Sequence, residues 1–256
     1  MDKTARLWDL SAALASQSEQ MAALQTFQQG VSENNAPQAA AALQEAIQLN
    51  QQGTVESRQL AIQKLQESLK LYRADKNLAK EAHTLLSIGN IYANLGQFQN
   101  ALDSYNQALL LSRQAGAKAE EATILNSLGQ LYNDLADPKT AVDYHNVALP
   151  LLYQLNDKEG AAATFNNIGD IHAATGKWEN ALDSYNKALI ISRPAGNLTA
   201  EATALTGIGS TYIASQEWAT ALNAYNQALL LSRYLNDKIK EATILNQMGK
   251  IHAALG

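Results

Sequence analysis

The 256-residue chain contains no cysteine. That excludes a disulfide framework, a zinc finger, an iron–sulfur site and a cysteine nucleophile, and removes any sign of an oxidising compartment. Proline is scarce, at 4 residues. Little proline with much Ala, Leu and Gln leans strongly helical. Charged residues make up 17%, below the ~25% of an average domain, and the net charge is −5. A chain of that sign lacks the basic stripe with which a nucleic-acid surface neutralises phosphates. No stretch approaches the ~20 apolar residues of a membrane span. Met1 to Arg6 is charged with no long apolar region behind it, unlike a secretory signal. These absences predict a cytoplasmic protein with neither nucleic acid nor membrane as partner.

Chemistry-bearing motifs are also missing. There is no His-Glu-x-x-His, no phosphate loop and no Gly-x-Ser-x-Gly. Of the histidines His83, His145, His172 and His252, three fall in aromatic slots of the repeat described next, so packing explains them better than catalysis or ligation. The expectation is no enzyme, no cofactor and no metal.

What is present is a repeat of forty residues. Blocks open at Glu81, Glu121, Ala161, Glu201 and Glu241. Each carries a glycine eight residues on (Gly89, Gly129, Gly169, Gly209, Gly249), then a ring (Tyr92, Tyr132, His172, Tyr212, His252). An alanine follows (Ala101, Ala141, Ala181, Ala221), a second ring (Tyr105, His145, Tyr185, Tyr225) and another alanine (Ala108, Ala148, Ala188, Ala228). Leu85, Ile88, Ile91, Tyr92 and Leu95 mark one face of a helix, and Leu102, Tyr105, Ala108 and Leu109 a second. Gly96-Gln97 between them is a turn signal. Each block therefore reads as helix A, tight turn, helix B. The small residues, Gly89 against Ala101 and Ala108, are expected to let two backbones approach closely. Asp137-Pro138 reads as an N-cap followed by a first helical residue. Pro150 falls inside helix B of its block, where it removes one hydrogen bond and is expected to bend the helix.

The pattern resembles the tetratricopeptide repeat: Leu85, Ile88-Gly89, Tyr92, Gly96, Phe98, Ala101, Tyr105, Ala108. The usual unit is ~34 residues, and six more are expected to lengthen helix B and the link that follows. Phrases such as Leu125-Asn126-Ser127-Leu128-Gly129 and Phe165-Asn166-Asn167-Ile168-Gly169 are similar to kinesin-light-chain-like arrays and to bacterial arrays linked to caspase-like CHAT domains. The resemblance implies an all-α fold, a right-handed α-solenoid of antiparallel hairpins. It divides the chain into a non-repeat segment 1–36, an atypical capping repeat 37–80, four forty-residue repeats 81–240, and helix A of an incomplete sixth repeat 241–256. In the capping unit Leu49 stands where glycine is expected.

The ends carry further expectations. Leu14, Met21, Leu24 and Phe27 suit an amphipathic helix over 12–27, Gly30 to Asn35 a loop, and Pro37 the opening of a helix through Gln51. Asp2 to Leu10 resembles the last strand of a WD-repeat propeller blade. Two readings stay open, an excerpt from a longer chain and a chance nonamer at a helix start. The chain stops at the turn glycine Gly256, which reads as a truncated array or an end that packs on another copy.

By the resemblance, the concave wall of the superhelix comes from helix A. Transferred residue by residue, its first row is Leu86, Asn126, Asn166, Thr206 and Asn246. The second is Asn90, Gln130, Asp170, Ser210 and Lys250, and the third includes Asn133. An amide offers one acceptor and two donors, so Asn126, Asn166 and Asn246 would form a ladder for an extended peptide backbone. The candidate peptide-binding residues are Asn90, Asn126, Gln130, Asn133, Asn166, Asp170, Asn246 and Lys250; the other reading is a solvated polar groove. The lysine/asparagine clamp of chaperone-tail binders is absent, because Asn126 and Asn166 stand where lysine is needed. Arg73, Arg113, Arg193 and Arg233, with Glu81, Glu121, Glu201 and Glu241, suit helix ends of opposite polarity and are expected to pair across the turn. The leading expectation is a non-enzymatic module holding a partner peptide or helix in its groove, and by family analogy alone the regulatory or sensor part of a larger signalling protein. The alternative is a structural spacer that self-assembles through its repeat ends into a homo-oligomer.

Overall fold

The computed structural model describes residues 35–255. The expectations for the nonamer 2–10, the helix 12–27 and Gly256 lie outside the described residues. A helix over 35–51, α1, opens the described chain, so Asn35 is helical rather than part of a loop. Ten more follow: α2 Val55–Ala74, α3 Leu78–Asn94, α4 Phe98–Gln114, α5 Lys118–Asp134, α6 Pro138–Gln154, α7 Lys158–Ala174, α8 Trp178–Ala195, α9 Leu198–Ala214, α10 Trp218–Tyr234 and α11 Lys238–Leu255. The architecture is an all-α solenoid of helical hairpins.

The backbone steps by half the sequence repeat. Lys76, Gly96, Gly116, Ala136, Asn156, Gly176, Gly196, Gln216 and Asn236 all have positive φ and stand twenty residues apart. At the first turn inside a block, Gln97 N–H reaches Tyr92 C=O at 2.9 Å and Gly96 N–H reaches Ala93 C=O at 2.9 Å. This pair of bonds satisfies the last carbonyls and requires a left-handed residue between them. The same pair recurs between blocks, with Ala117 N–H on Ser112 C=O and Gly116 N–H on Arg113 C=O. The six extra residues therefore do not lengthen helix B alone or the link after it. Helices A and B are both 17 residues long in α3 and α4, and both kinds of turn are equally tight.

Consecutive helices pack as neighbours, and consecutive A helices also touch one another, α7 against α9 most closely. Among the described residues no two B helices make a comparable contact. Rods that meet on one side and splay on the other make a curved stack, with helices A on its inner wall and helices B outside.

The core is built around rings that lie over glycines. A Cβ at Gly89 or Gly169 would stand 2.5 Å from the ring of Tyr105 or Tyr185, and one at Gly209 would stand 2.9 Å from Tyr225. The glycines thus make room for the helix B ring, and not for the alanine backbones as the sequence suggested. In the first unit both partners change together: Leu49 and Leu65 take the glycine and ring positions and pack in one cluster. Ser68, in an alanine slot, donates to Ala39 C=O of α1 at 2.8 Å.

Ion pairs do bridge helix B to the next helix A. Arg113 Nε meets Glu121 at 2.7 Å, Arg193 meets Glu201 at 2.8 Å and Arg233 meets Glu241 at 2.7 Å. Where the arginine becomes Tyr153, the glutamate becomes Ala161, so neither charge is left alone. Helix α6 runs through Pro150 to Gln154, and the lost hydrogen bond does not end it.

Candidate functional site: the inner wall

Each helix A turns one line toward the inner wall. In α5 it runs Thr123, Ser127, Gln130, Asp134 and in α7 Ala163, Asn167, Asp170, Ala174, with Ser127 and Asn167 half-buried and the others exposed. The spacing of four, three and four is that of one helical face. It includes the second expected row (Asn90, Gln130, Asp170, Ser210, Lys250), all of it exposed.

The first expected row sits differently. Leu86 is buried, Asn126 and Thr206 are half-buried, and Asn166 is only 3% exposed. These positions turn toward the next helix A. Asn126 Nδ2 donates to Thr164 Oγ1 of α7 at 2.9 Å, and its Oδ1 faces His145 Nδ1 at 2.8 Å. Asn166 Nδ2 donates to Ala200 C=O of α9 at 3.0 Å, while its Oδ1 is buried without a partner. These two amides tie consecutive A helices together. Asn246 is exposed, Asn133 is half-buried, and neither makes a side-chain hydrogen bond among the described residues.

The second row is held from behind by the rings. Tyr105 donates its hydroxyl to Asn90 Oδ1 at 2.7 Å, Tyr185 to Asp170 Oδ1 at 2.6 Å, and the Tyr225 hydroxyl pairs with Ser210 at 2.9 Å. A helix B side chain therefore passes over the glycine of helix A and orients the next residue of the wall. Gln130 has no such support, because His145 replaces the tyrosine and bonds Asn126 instead; Gln130 Nε2 donates to Asp134 at 2.9 Å. Burial pushes the Tyr105 hydroxyl up to about 12 and raises that of Tyr185 as well. Asp170 keeps an exposed edge, yet the crowding of the wall raises its pKa and the Tyr185 hydroxyl partly offsets this.

Three recesses open between neighbouring A helices. One of about 270 Å³ lies between α1 and α3, lined by Asn50, Ser87 and Asn90 among others. One of about 170 Å³ lies between α7 and α9, with Asn166, Asn167, Asn197 and Thr203. One of about 330 Å³ is walled by Asp170, Tyr185, Thr206, Gly207, Ser210 and Lys240. Lys240 reaches in from α11 and donates to Thr203 Oγ1 at 2.7 Å.

Sequence reasoning missed Ser87, Ser127, Asn167, Thr203 and Lys240. The signal was available: a row containing Leu86 is not a solvent row. One residue after the first row, Ser87, Ser127, Asn167 and Gln247 are half-buried and Gly207 is buried, so the exposed row is the second, Asn90, Gln130, Asp170, Ser210 and Lys250.

The histidines are dispersed. His145 is buried and burial lowers its pKa to about 4; burial also lowers that of His172. His83 meets Glu120 at 2.6 Å, and His252 is exposed. Among the described residues no group of three His, Cys, Asp or Glu side chains is placed to hold a metal. No helix among them is long and apolar enough to cross a membrane.

The tetratricopeptide repeat family profile matches residues 80–154 and 160–233, more than half of the chain. No curated protein matches it. Solved structures share the fold at low identity. BtubC from P. vanneervenii is 16% identical over 79% of this chain and 92% of its own, with a TM-score of 0.56. A Rap protein complexed with Competence and Sporulation Factor is 15% identical, covering 85% of this chain and 64% of that one, with a TM-score of 0.68. The nearly identical repeats of a kinesin light chain from Podosopora anserina are 13% identical over 77% of this chain and 95% of theirs, with a TM-score of 0.61.

Proposed function

This chain belongs to the tetratricopeptide repeat family, and on that premise we propose that it is a non-enzymatic interaction module whose inner wall binds an extended peptide segment of a partner protein. The observation that supports this most is the line that each helix A turns toward the inner wall. It sets polar groups at forty-residue intervals along a curved wall, with recesses of peptide side-chain size between them. Asn133, Asn167 and Asn246 hold amides uncommitted among the described residues, each able to pair with both groups of a peptide backbone. Asn90, Gln130 and Asp170 stand beside them, the first and last fixed by tyrosine hydroxyls. Asn126 and Asn166 serve this reading by setting the spacing of the A helices. Asp170 beside Lys240 offers a place for a charged side chain or terminus, and Lys250 a second cation. A Rap protein of the same fold holds Competence and Sporulation Factor, which supports a peptide-holding groove and, by analogy, a role inside a larger signalling protein. The cysteine-free composition suits a cytoplasmic setting.

The test is selection of peptides from a displayed random library against the whole chain. Affinities are then measured on wall variants (Asn167→Ala, Asp170→Ala) and on outer-face variants (Leu110→Ser, Ile190→Ser). The expected result is a loss of about tenfold or more on the wall variants alone. Selected peptides that respond only to the outer face would place binding elsewhere.

A further inference from the structure

Several departures from the repeat meet at one junction, where α6 turns into α7 and faces α8. Tyr153 stands where Arg73, Arg113, Arg193 and Arg233 stand elsewhere, and Ala161 replaces the glutamate that pairs with them. Leu152 takes the place of Ser112, Ser192 and Ser232, and Pro194 that of Gln114 and Gln154. A recess of about 230 Å³ opens there. Its apolar walls are Leu152 and Tyr153 of α6 with Ile190, Ile191 and Pro194 of α8, and Lys158 at the start of α7 also lines it. None of these residues belongs to the rows of the inner wall.

At the neighbouring junctions the same place is taken. Lys118 Nζ donates to Gln154 Oε1 at 3.1 Å across the junction before, and half-buried Leu198 replaces the lysine at the junction after. The position of Lys158 is also held by Lys238, which meets Glu241 at 3.1 Å. The residues that would serve Lys158 in these two ways are Pro194 and Ala161. Both of its possible partners are therefore replaced by side chains without a polar atom. Lys158 is exposed and has no side-chain partner among the described residues. Asp157 beside it is already committed, because its Oδ1 accepts the Gly160 N–H at 2.8 Å and caps α7. The recess thus joins apolar walls to one unpaired cation.

Size limits the occupant. An apolar cavity of roughly 150 Å³ takes up benzene, so about 230 Å³ accommodates one ring with a short chain. A peptide would need a track beyond the recess. The Lys118–Gln154 bond and Leu198 close the two equivalent places on either side, so the occupant is a small molecule.

We propose that this recess is a second ligand site, for a small apolar carboxylate of the arylalkanoic acid class. The ring lies against Leu152, Ile190, Ile191 and Pro194, and the carboxylate accepts a charge-assisted hydrogen bond from Lys158 Nζ. The site is formed by two B helices and the turn between α6 and α7, so it stands or falls independently of peptide capture in the groove.

The probe is 3-phenylpropanoate, titrated into the isotope-labelled full chain and followed through backbone amide chemical shifts. Saturable shifts are expected at residues 152–161 and 190–196, and none along the wall line of α7. The uncharged 3-phenylpropanamide keeps the ring and should bind about tenfold more weakly or less. Lys158→Ala should cost the acid the same factor and leave the amide unaffected. Helix α8 continues through Pro194 to Ala195, so Pro194→Gln suits the backbone there. It recreates the pairing of Lys118 with Gln154 and should close the recess to both probes, while groove-selected peptides bind this variant normally. Unchanged amide shifts away from the junction show that each variant keeps its fold. The site is overturned by the absence of saturable shifts, by shifts that map to the inner wall, by equal affinity for acid and amide, or by acid binding that survives both Lys158→Ala and Pro194→Gln.

Discussion

Tyr185 donates its hydroxyl hydrogen to Asp170 at 2.6 Å, crossing directly over Gly169, where a Cβ would stand 2.5 Å from the ring. One glycine thus connects the fold to the wall. It admits the ring, the ring closes the hairpin, and the hydroxyl fixes a carboxylate that faces the groove.

Gly169→Ala and Gly249→Ala should therefore act in opposite directions. The Tyr185 ring is pinned between Gly169 and Gly207 and cannot yield cheaply, so Gly169→Ala should destabilise by about 1–3 kcal/mol despite the better helix propensity of alanine. At Gly249 the space is open, and the same change should stabilise by about 0.5–1 kcal/mol. Urea denaturation followed by circular dichroism reads both. Equal signs at the two sites would remove the ring-over-glycine account.

Asp170→Asn separates structure from electrostatics. Asn90 already accepts the equivalent hydroxyl from Tyr105 at 2.7 Å, so an amide fits this place. Because burial raises the pKa of Asp170, its charged form is held at a cost that the amide avoids. Stability at pH 7 should be kept or slightly raised, while affinity for groove peptides with a cationic residue falls. A large loss of stability would mean that the charge itself holds the wall together.

His145 should impose a pH dependence. Buried, its pKa falls to about 4 against 6.5 for the free side chain. As pH drops, the unfolded chain takes the proton first, so stability is whole above about pH 6.5 and is lost progressively down to about pH 4. The loss from this residue alone is about 3 kcal/mol at most. His145→Tyr restores the ring used in the other repeats and should flatten this slope. Denaturation midpoints at pH 7.5, 6, 5 and 4 show whether it does.

The turns carry strain at defined places. Gln216 holds φ 63° and Ala136 φ 58° where glycine stands in four of the other turns. Gln216→Gly should stabilise by about 1 kcal/mol by relieving the left-handed penalty. A neutral or negative effect on the urea midpoint would show that the Gln216 side chain makes a compensating contact.

Fold and site were legible in the sequence to different depths. The hairpins, their turns and the all-α class follow from Gly89, Tyr105, Ala108 and their forty-residue recurrences, because burial on both sides of a helix leaves a strong periodic mark. The Arg–Glu pairs were readable for the same reason. The equal division of the unit was less visible, since Gly96 and Gly116 mark their turns but Lys76, Ala136 and Gln216 hold the same left-handed position with residues that are not turn formers by themselves. The first expected row of the wall is instead mostly a contact between helices, while the second is exposed. Asparagine suits both a peptide-binding row and a contact between helices, and only the packing of α5, α7 and α9 distinguishes Asn126 and Asn166, which tie the stack, from Asn167, which faces the groove. The ring-over-glycine contact joins residues sixteen apart, and composition alone pointed to alanine instead.

The most direct measurement of the central reading is the affinity of one library-selected peptide for the intact chain and for its Asn167→Ala, Asp170→Ala double variant, with circular dichroism confirming an unchanged fold. A drop of about tenfold or more, with the Leu110→Ser, Ile190→Ser protein binding as tightly as the unmodified chain, is the predicted result. Undiminished binding by the wall variant would contradict a groove formed by the A helices.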